Sequence, residues 1–129
     1  MLDASAQTGR AGRDFLKTLS AQEPPFTADD LFEIMAYLSG PAGCPWDGRQ
    51  DHRSLIPYFL EETYEAVSAI EGGDPAHLCE ELGDVWMQIA FHTVLAERAG
   101  QFSRQDVLDG ICAKMIRRHP HSLDRKSVV

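Results

Sequence analysis

From Ser54 to Glu97 the chain contains no lysine or arginine, yet it holds Glu61, Glu62, Glu65, Glu71, Asp74, Glu80, Glu81, Asp84 and Glu97. A solvated helix ordinarily places Lys four residues after Glu, where each pair adds roughly 0.2–0.5 kcal/mol. Acid without interspersed base is a pattern that needs its own explanation. The basic residues that follow, Arg98, Arg104, Lys114, Arg117 and Arg118, lie outside the stretch. The formal net charge of −8 argues against a nucleic-acid polymer as partner, because phosphate-backbone binding needs a basic face.

The segments around the acidic stretch read as helices. Thr27 is placed as an N-cap with Asp30 as its capping-box partner. Leu31, Ile34, Met35 and Leu38 follow at helical spacing, and Gly40-Pro41 stops the run. A loop from Pro41 to about Asp51 carries Cys44-Pro45-Trp46-Asp47. Ser54 is expected to cap a second helix reaching about Ile70, with Pro57 in its first turn. Glu71-Gly72-Gly73-Asp74-Pro75 reads as a turn, with glycines for the C-cap, Asp74 as the next N-cap and Pro75 at the first helical position. A third helix runs to about Arg98, with Leu78, Leu82, Val85, Ile89 and Phe91 or His92 expected on its inner face. Ser103 and Asp106 form another capping box, opening a last helix that reaches about Arg118. No strand-length run alternates with period two. The expected fold is all-α, a bundle of about four helices with antiparallel neighbours.

Residues 1–25 read as an N-terminal tail, with a short amphipathic turn around Phe15, Leu16 and Leu19. Residues 26–121 form the helical domain, and 122–129 a C-terminal tail. No apolar run is long enough for a membrane span or a signal peptide. Cys44, Cys79 and Cys112 make neither a CxxC nor a disulfide framework, which points to a reducing compartment, the cytoplasm. Each cysteine is expected as a small buried apolar residue.

Two pairs of acids stand out. Glu62 and Glu65 share one face of the second helix, and Glu81 and Asp84 one face of the third. Antiparallel pairing across the short turn brings them to similar height. Any one of these acids, taken alone, is an ordinary solvated helix residue. Four that converge beside an apolar stripe cannot all stay ionised without compensation. A divalent cation supplies it, and an oxygen-only donor set favours Mg²⁺ or Mn²⁺ over zinc. A di-iron bundle would need Glu-x-x-His on two helices, and neither His77 nor His92 stands in that motif.

At Glu61-Glu62-Thr63-Tyr64-Glu65 and Glu81-Leu82-Gly83-Asp84 the chain resembles the MazG family of all-alpha nucleoside triphosphate pyrophosphohydrolases. Gly43-Cys44-Pro45-Trp46-Asp47 upstream and Arg117-Arg118-His119-Pro120-His121 downstream extend the resemblance over about 29–121. The resemblance implies hydrolysis of nucleoside triphosphates between the α- and β-phosphates, in a dimer or a dimer of dimers. It implies Mg²⁺ ligation by Glu62, Glu65, Glu81 and Asp84. Glu61 is the extra carboxylate of the motif, either orienting or deprotonating the attacking water or standing as an outer acid. Lys114, Arg117 and Arg118, at helical spacing, are candidates for the triphosphate, or a basic last turn that complements the helix dipole. Trp46 is a candidate to stack on the base or to fill a core or interface. The other readings are a non-catalytic helical module that binds nucleotide or a partner protein, and a related dUTP or phosphoribosyl-ATP pyrophosphatase. The Cys-Pro-Trp-Asp and Arg-Arg-His-Pro-His blocks favour the MazG branch.

Overall fold

The computed structural model describes residue 18 and residues 20–123. The amphipathic turn expected around Phe15, Leu16 and Leu19 lies outside the described residues, as does most of the C-terminal tail. Among the described residues from Ala28 on, six helices follow in order: α1 (Ala28–Leu38), α2 (Pro45–Gly48), α3 (Ile56–Gly72), α4 (Pro75–Arg98), α5 (Arg104–Arg118) and α6 (Pro120–Leu123). Four are long, α2 and α6 are single turns, and there is no strand among the described residues. The chain is all-α.

The helix ends obey local chemistry. Thr27 and Ser103 each accept a hydrogen bond from a backbone N–H three residues on, and Asp30 and Asp106 reach back to the cap N–H, so both capping boxes are complete. Asp74 accepts from the Ala76 N–H ahead of Pro75. Gly73 closes α3 at φ 75°, a left-handed conformation that a side chain would disfavour. Ser54 does not cap α3. The helix begins at Ile56, and Ser54 instead exchanges hydrogen bonds with Asp51 in the preceding turn, at 2.7 and 2.8 Å.

Helix α4 is the hub, and both α1 and α3 pack on it. The core joins Phe32 and Met35 of α1, Leu55 ahead of α3, and Ala90, Phe91 and Val94 of α4. It therefore lies against the C-terminal half of α4. Along α3 the buried contacts are small, Ala66 and Ala69, which lets the two backbones approach closely. The apolar face expected on α4 is only partly right. Phe91 is buried, but Leu82 and Ile89 are exposed, as is Trp86 between them. Cys79 and Cys112 are exposed and Cys44 half-buried, against the expectation of three buried thiols.

Arg104 ties three helices together. Its guanidinium meets Glu97 at 2.9 Å, Glu33 at 3.0 Å and Asp29 at 3.2 Å, and lies 4.8 Å above the Phe32 ring. These carboxylates hold its pKa far above the ordinary guanidinium value, and the same contact holds Glu97 below the usual carboxylate range. Among the described residues, the side-chain hydrogen bonds from α5 to the other helices come from Arg104. No residue of α5 is buried.

The Gly43-to-Asp47 segment is folded, not a loose loop. Cys44 N–H donates to the Leu38 carbonyl at 2.9 Å, and α2 begins at the next residue. The backbone at Gly43 runs so close to the carbonyls of Tyr37 and Leu38 that a Cβ there would collide with them. This close approach is the physical reason for glycine at that position.

Candidate metal centre between α3 and α4

Glu65 and Glu81 stand eight residues either side of Gly73, and Glu62 and Asp84 eleven. With a rise of about 1.5 Å per residue in both arms, an antiparallel pair sets each couple at one height. Ala66 and Ala69 face α4, and Glu62 shares their stripe at i−4 and i−7. The carboxylates of Glu62, Glu81 and Asp84 accordingly converge, one oxygen from each lying within 4.8 Å of the others. All three are partly buried.

The electrostatics report the same convergence. Glu62 has its pKa raised, first by burial and then by Asp84, Glu81, Glu61 and Glu65 in that order. The two acids across the groove outweigh the two on its own helix. Negative charge is thus concentrated between the helices, in a hard-oxygen donor set of the kind that suits Mg²⁺ or Mn²⁺. The residues fit such an ion.

The raised pKa fixes the sign of a pH effect. The folded chain holds the Glu62 proton more tightly than the unfolded chain, so the stability from this group is complete below the ordinary carboxylate pKa of 4.5 and is lost as pH climbs through the raised value. Asp30, Asp51, Glu97 and Asp106 are lowered instead, and their stability is lost as pH falls. Comparing variants isolates Glu62. Glu62→Gln is expected to raise the Tm of the metal-free protein by about 1–4 °C at neutral pH and to leave it unchanged below pH 4. Thermal melts of the two proteins across pH check this, and a Gln variant that melts lower at pH 7 would refute it.

The remaining expected residues are placed unevenly. Glu65 does not join the Glu62 group but a neighbouring one, with His77 and Glu81, whose donor atoms also lie within 4.8 Å of one another. Glu61 is exposed beside Glu62. Trp46 is partly exposed and packs edge-on against Tyr58, ring centroids 5.4 Å apart. Tyr58 lies one turn before Glu62, so this ring contact ties α2 to the helix that carries Glu62 and Glu65. Lys114, Arg117 and Arg118 are exposed, and among the described residues none pairs with any of the acids.

Three further polar residues lie on α4: His77 and His92, weighed in the sequence only against a di-iron motif or as an inner-face position, and Gln88, not named there. His77 Nε2 lies 3.3 Å from Glu81 Oε1. Further along, Gln88 is buried with its side-chain oxygen unpartnered, as is Nε2 of His92. The other nitrogen of His92 meets His52 Nδ1 at 2.7 Å with the rings stacked. Burial, and then His52, pushes the His92 pKa down. The signal available for these residues was their i, i+4 spacing from the acids: His77 before Glu81, Gln88 after Asp84, His92 after Gln88.

A family model, the MazG nucleotide pyrophosphohydrolase domain, matches residues 50–123. The chain belongs to the MazG family. It is 45% identical over 93 residues to the nucleoside triphosphate pyrophosphohydrolase/pyrophosphatase MazG of Thermotoga maritima, covering 72% of this chain and 36% of that protein. It is 44% identical over 94 residues to the nucleoside triphosphate pyrophosphohydrolase of Escherichia coli K12, with the same two shares. An uncharacterized 26.1 kDa protein of Streptomyces cacaoi is 39% identical over 120 residues, covering 90% of this chain and 49% of that one. The chain thus spans about half or less of the curated relatives it matches. The matched stretch contains α3, α4 and all four carboxylates of the groove, together with the basic end of α5.

Proposed function

We propose that the chain hydrolyses nucleoside triphosphates to the monophosphate and pyrophosphate, with Mg²⁺, or Mn²⁺ in its place, held by Glu62, Glu65, Glu81 and Asp84. The observation that carries this reading is the convergence of Glu62, Glu81 and Asp84 between α3 and α4, within a stretch matched by a pyrophosphohydrolase family. When bound, the cation neutralises phosphate oxygens and makes water a better nucleophile.

The chain's own side chains do the rest. Water oxygen bonds to the α-phosphorus as the bond from that phosphorus to the bridging oxygen breaks, so pyrophosphate leaves. Glu61, exposed next to Glu62, accepts the proton of the attacking water. Lys114, Arg117 and Arg118 balance the charge of the triphosphate. Trp46, held edge-on by Tyr58, offers its face to the base.

A second copy completes the arrangement. Leu82, Trp86 and Ile89 on α4 are exposed at helical spacing, as are Leu60, Tyr64 and Val67 on α3. On α5, Leu108, Ile111 and Met115 are uncovered too. Apolar faces on this scale ordinarily mark an interface. The acidic groove and the basic end of α5 are complementary in charge but do not meet within one copy. A homodimer, or a pair of dimers, covers the faces and lets one copy's α5 supply cations to the other's groove. None of the described helices is long and apolar enough to cross a membrane. The three unpaired thiols suit the reducing cytoplasm.

The direct test is release of pyrophosphate, distinguished from orthophosphate, from a panel of common and modified triphosphates with and without Mg²⁺. Metal-dependent pyrophosphate with an equal amount of monophosphate is expected. Nucleotide binding without turnover, in folded protein, would replace the hydrolase with a binding module.

A further inference from the structure

His77 sits one helical turn before Glu81, with Nε2 3.3 Å from the Glu81 carboxylate. Its partner across the groove is Glu65, and the three donor atoms lie within 4.8 Å of one another. This group and the Glu62–Glu81–Asp84 group share Glu81. One group offers only oxygen, and the other adds a nitrogen. The distinction is chemical. Mg²⁺ prefers oxygen donors and gives up its water reluctantly, whereas Co²⁺ and Zn²⁺ accept imidazole.

Charge favours a nitrogen at this place. The groove already gathers the carboxylates of Glu62, Glu65, Glu81 and Asp84, which repel one another. A further acid would deepen that repulsion, but a neutral imidazole adds a ligand without adding charge. His77 is also accessible: its side chain is 43% exposed against 13% for Glu81, so an ion can reach it without the helices parting.

We propose that His77, Glu65 and Glu81 form a second cation position that takes a borderline divalent ion such as Zn²⁺ or Co²⁺ in preference to Mg²⁺. The inference rests on the reading of the groove as a metal centre. Through Glu81, an ion there bears directly on the oxygen-only position, so the identity of the metals present would set how the groove is charged.

The test is a Zn²⁺ titration of the full chain, with a parallel Mg²⁺ titration, following the ring nitrogens of its five histidines by NMR. Zn²⁺ should move His77 Nε2 at the first equivalent, and Mg²⁺ should leave it in place. Calorimetry on His77→Ala should show Zn²⁺ affinity reduced by roughly tenfold to a hundredfold, with Mg²⁺ affinity changed by less than about threefold. The rival is the stacked pair His52 and His92. A shift confined to those rings, or an affinity lost in His52→Ala and kept in His77→Ala, would overturn the proposal. So would equal losses for the two metals in His77→Ala, which is what a plain ion pair with Glu81 gives. If His77→Ala does not fold, the ring shifts of the unaltered protein decide. Pyrophosphate release with Mg²⁺ is scored separately, so the hydrolase reading and the zinc position fail independently.

Discussion

Asp84→Ala is expected to lower Mg²⁺-dependent pyrophosphate release by about 10³-fold or more, equivalent to about 4 kcal/mol of transition-state stabilisation. Asp84 is the acid of α4 that most strongly raises the Glu62 pKa, so it lies closest in effect to the centre of the groove. Its removal leaves the oxygen-only group with two carboxylates. Asp84→Asn keeps the size and loses the charge, and should fall nearly as far. The same substitution relieves Glu62 of its strongest repulsion, so the metal-free variant should melt at or slightly above the temperature of the unaltered chain. Activity and stability therefore move in opposite directions, which separates a lost metal site from a lost fold. Glu80, exposed on the same helix and outside both donor groups, is the control: Glu80→Ala should stay within about twofold. Turnover retained in Asp84→Ala would remove the groove from the mechanism.

Much of this centre is legible in the sequence, because its determinants are local. Glycine and Asp-Pro fix the α3–α4 turn, and helical periodicity then fixes which acids share a face. Both capping boxes were legible for the same reason, since each needs only residues three apart. What failed depends on long-range packing. Leu82 and Ile89 have the right spacing for an inner face, but α1 packs on the C-terminal half of α4 and the core forms at Ala90, Phe91 and Val94. Spacing along one helix cannot reveal where its neighbours end. The α3 contact through Ala66 and Ala69 was hidden because alanine carries little hydropathy signal. His77 was set aside because it stood in no Glu-x-x-His, yet its i, i+4 relation to Glu81 is the geometry that counts.

The exposed faces are instructive for a different reason. Leu82, Trp86 and Ile89 look like a core stripe because they are apolar at core spacing, and such a stripe is also what an interface requires. Sequence periodicity reports that a face will be buried, not whether the same copy buries it. The bare α5 extends the point. Leu108, Ile111 and Met115 are exposed, as are Lys114, Arg117 and Arg118, and among the described residues the side-chain hydrogen bonds that link α5 to the other helices come from Arg104.

If α5 serves the groove of a second copy, two inactive variants should restore one another. Take Asp84→Ala, which keeps its cations, and a triple variant Lys114→Ala, Arg117→Ala, Arg118→Ala, which keeps its acids. The triple variant alone should lose about 10²-fold or more, because the triphosphate then lacks its balancing charge. In an equal, fully exchanged mixture about half the dimers are mixed. Each mixed dimer has one groove with intact acids facing an intact α5 and one with neither, so activity should return to about a quarter of the unaltered level. A mixture of Asp84→Ala with Glu81→Ala should recover nothing, since both defects fall on the same set of acids. Carrying different affinity tags on the two variants lets the mixed dimer be purified and its activity measured by itself. An inactive mixed dimer would mean that each α5 serves its own groove. A chain that sediments as a monomer while still hydrolysing triphosphate would remove the second copy from the mechanism altogether, and leave the exposed faces of α3, α4 and α5 to some other partner.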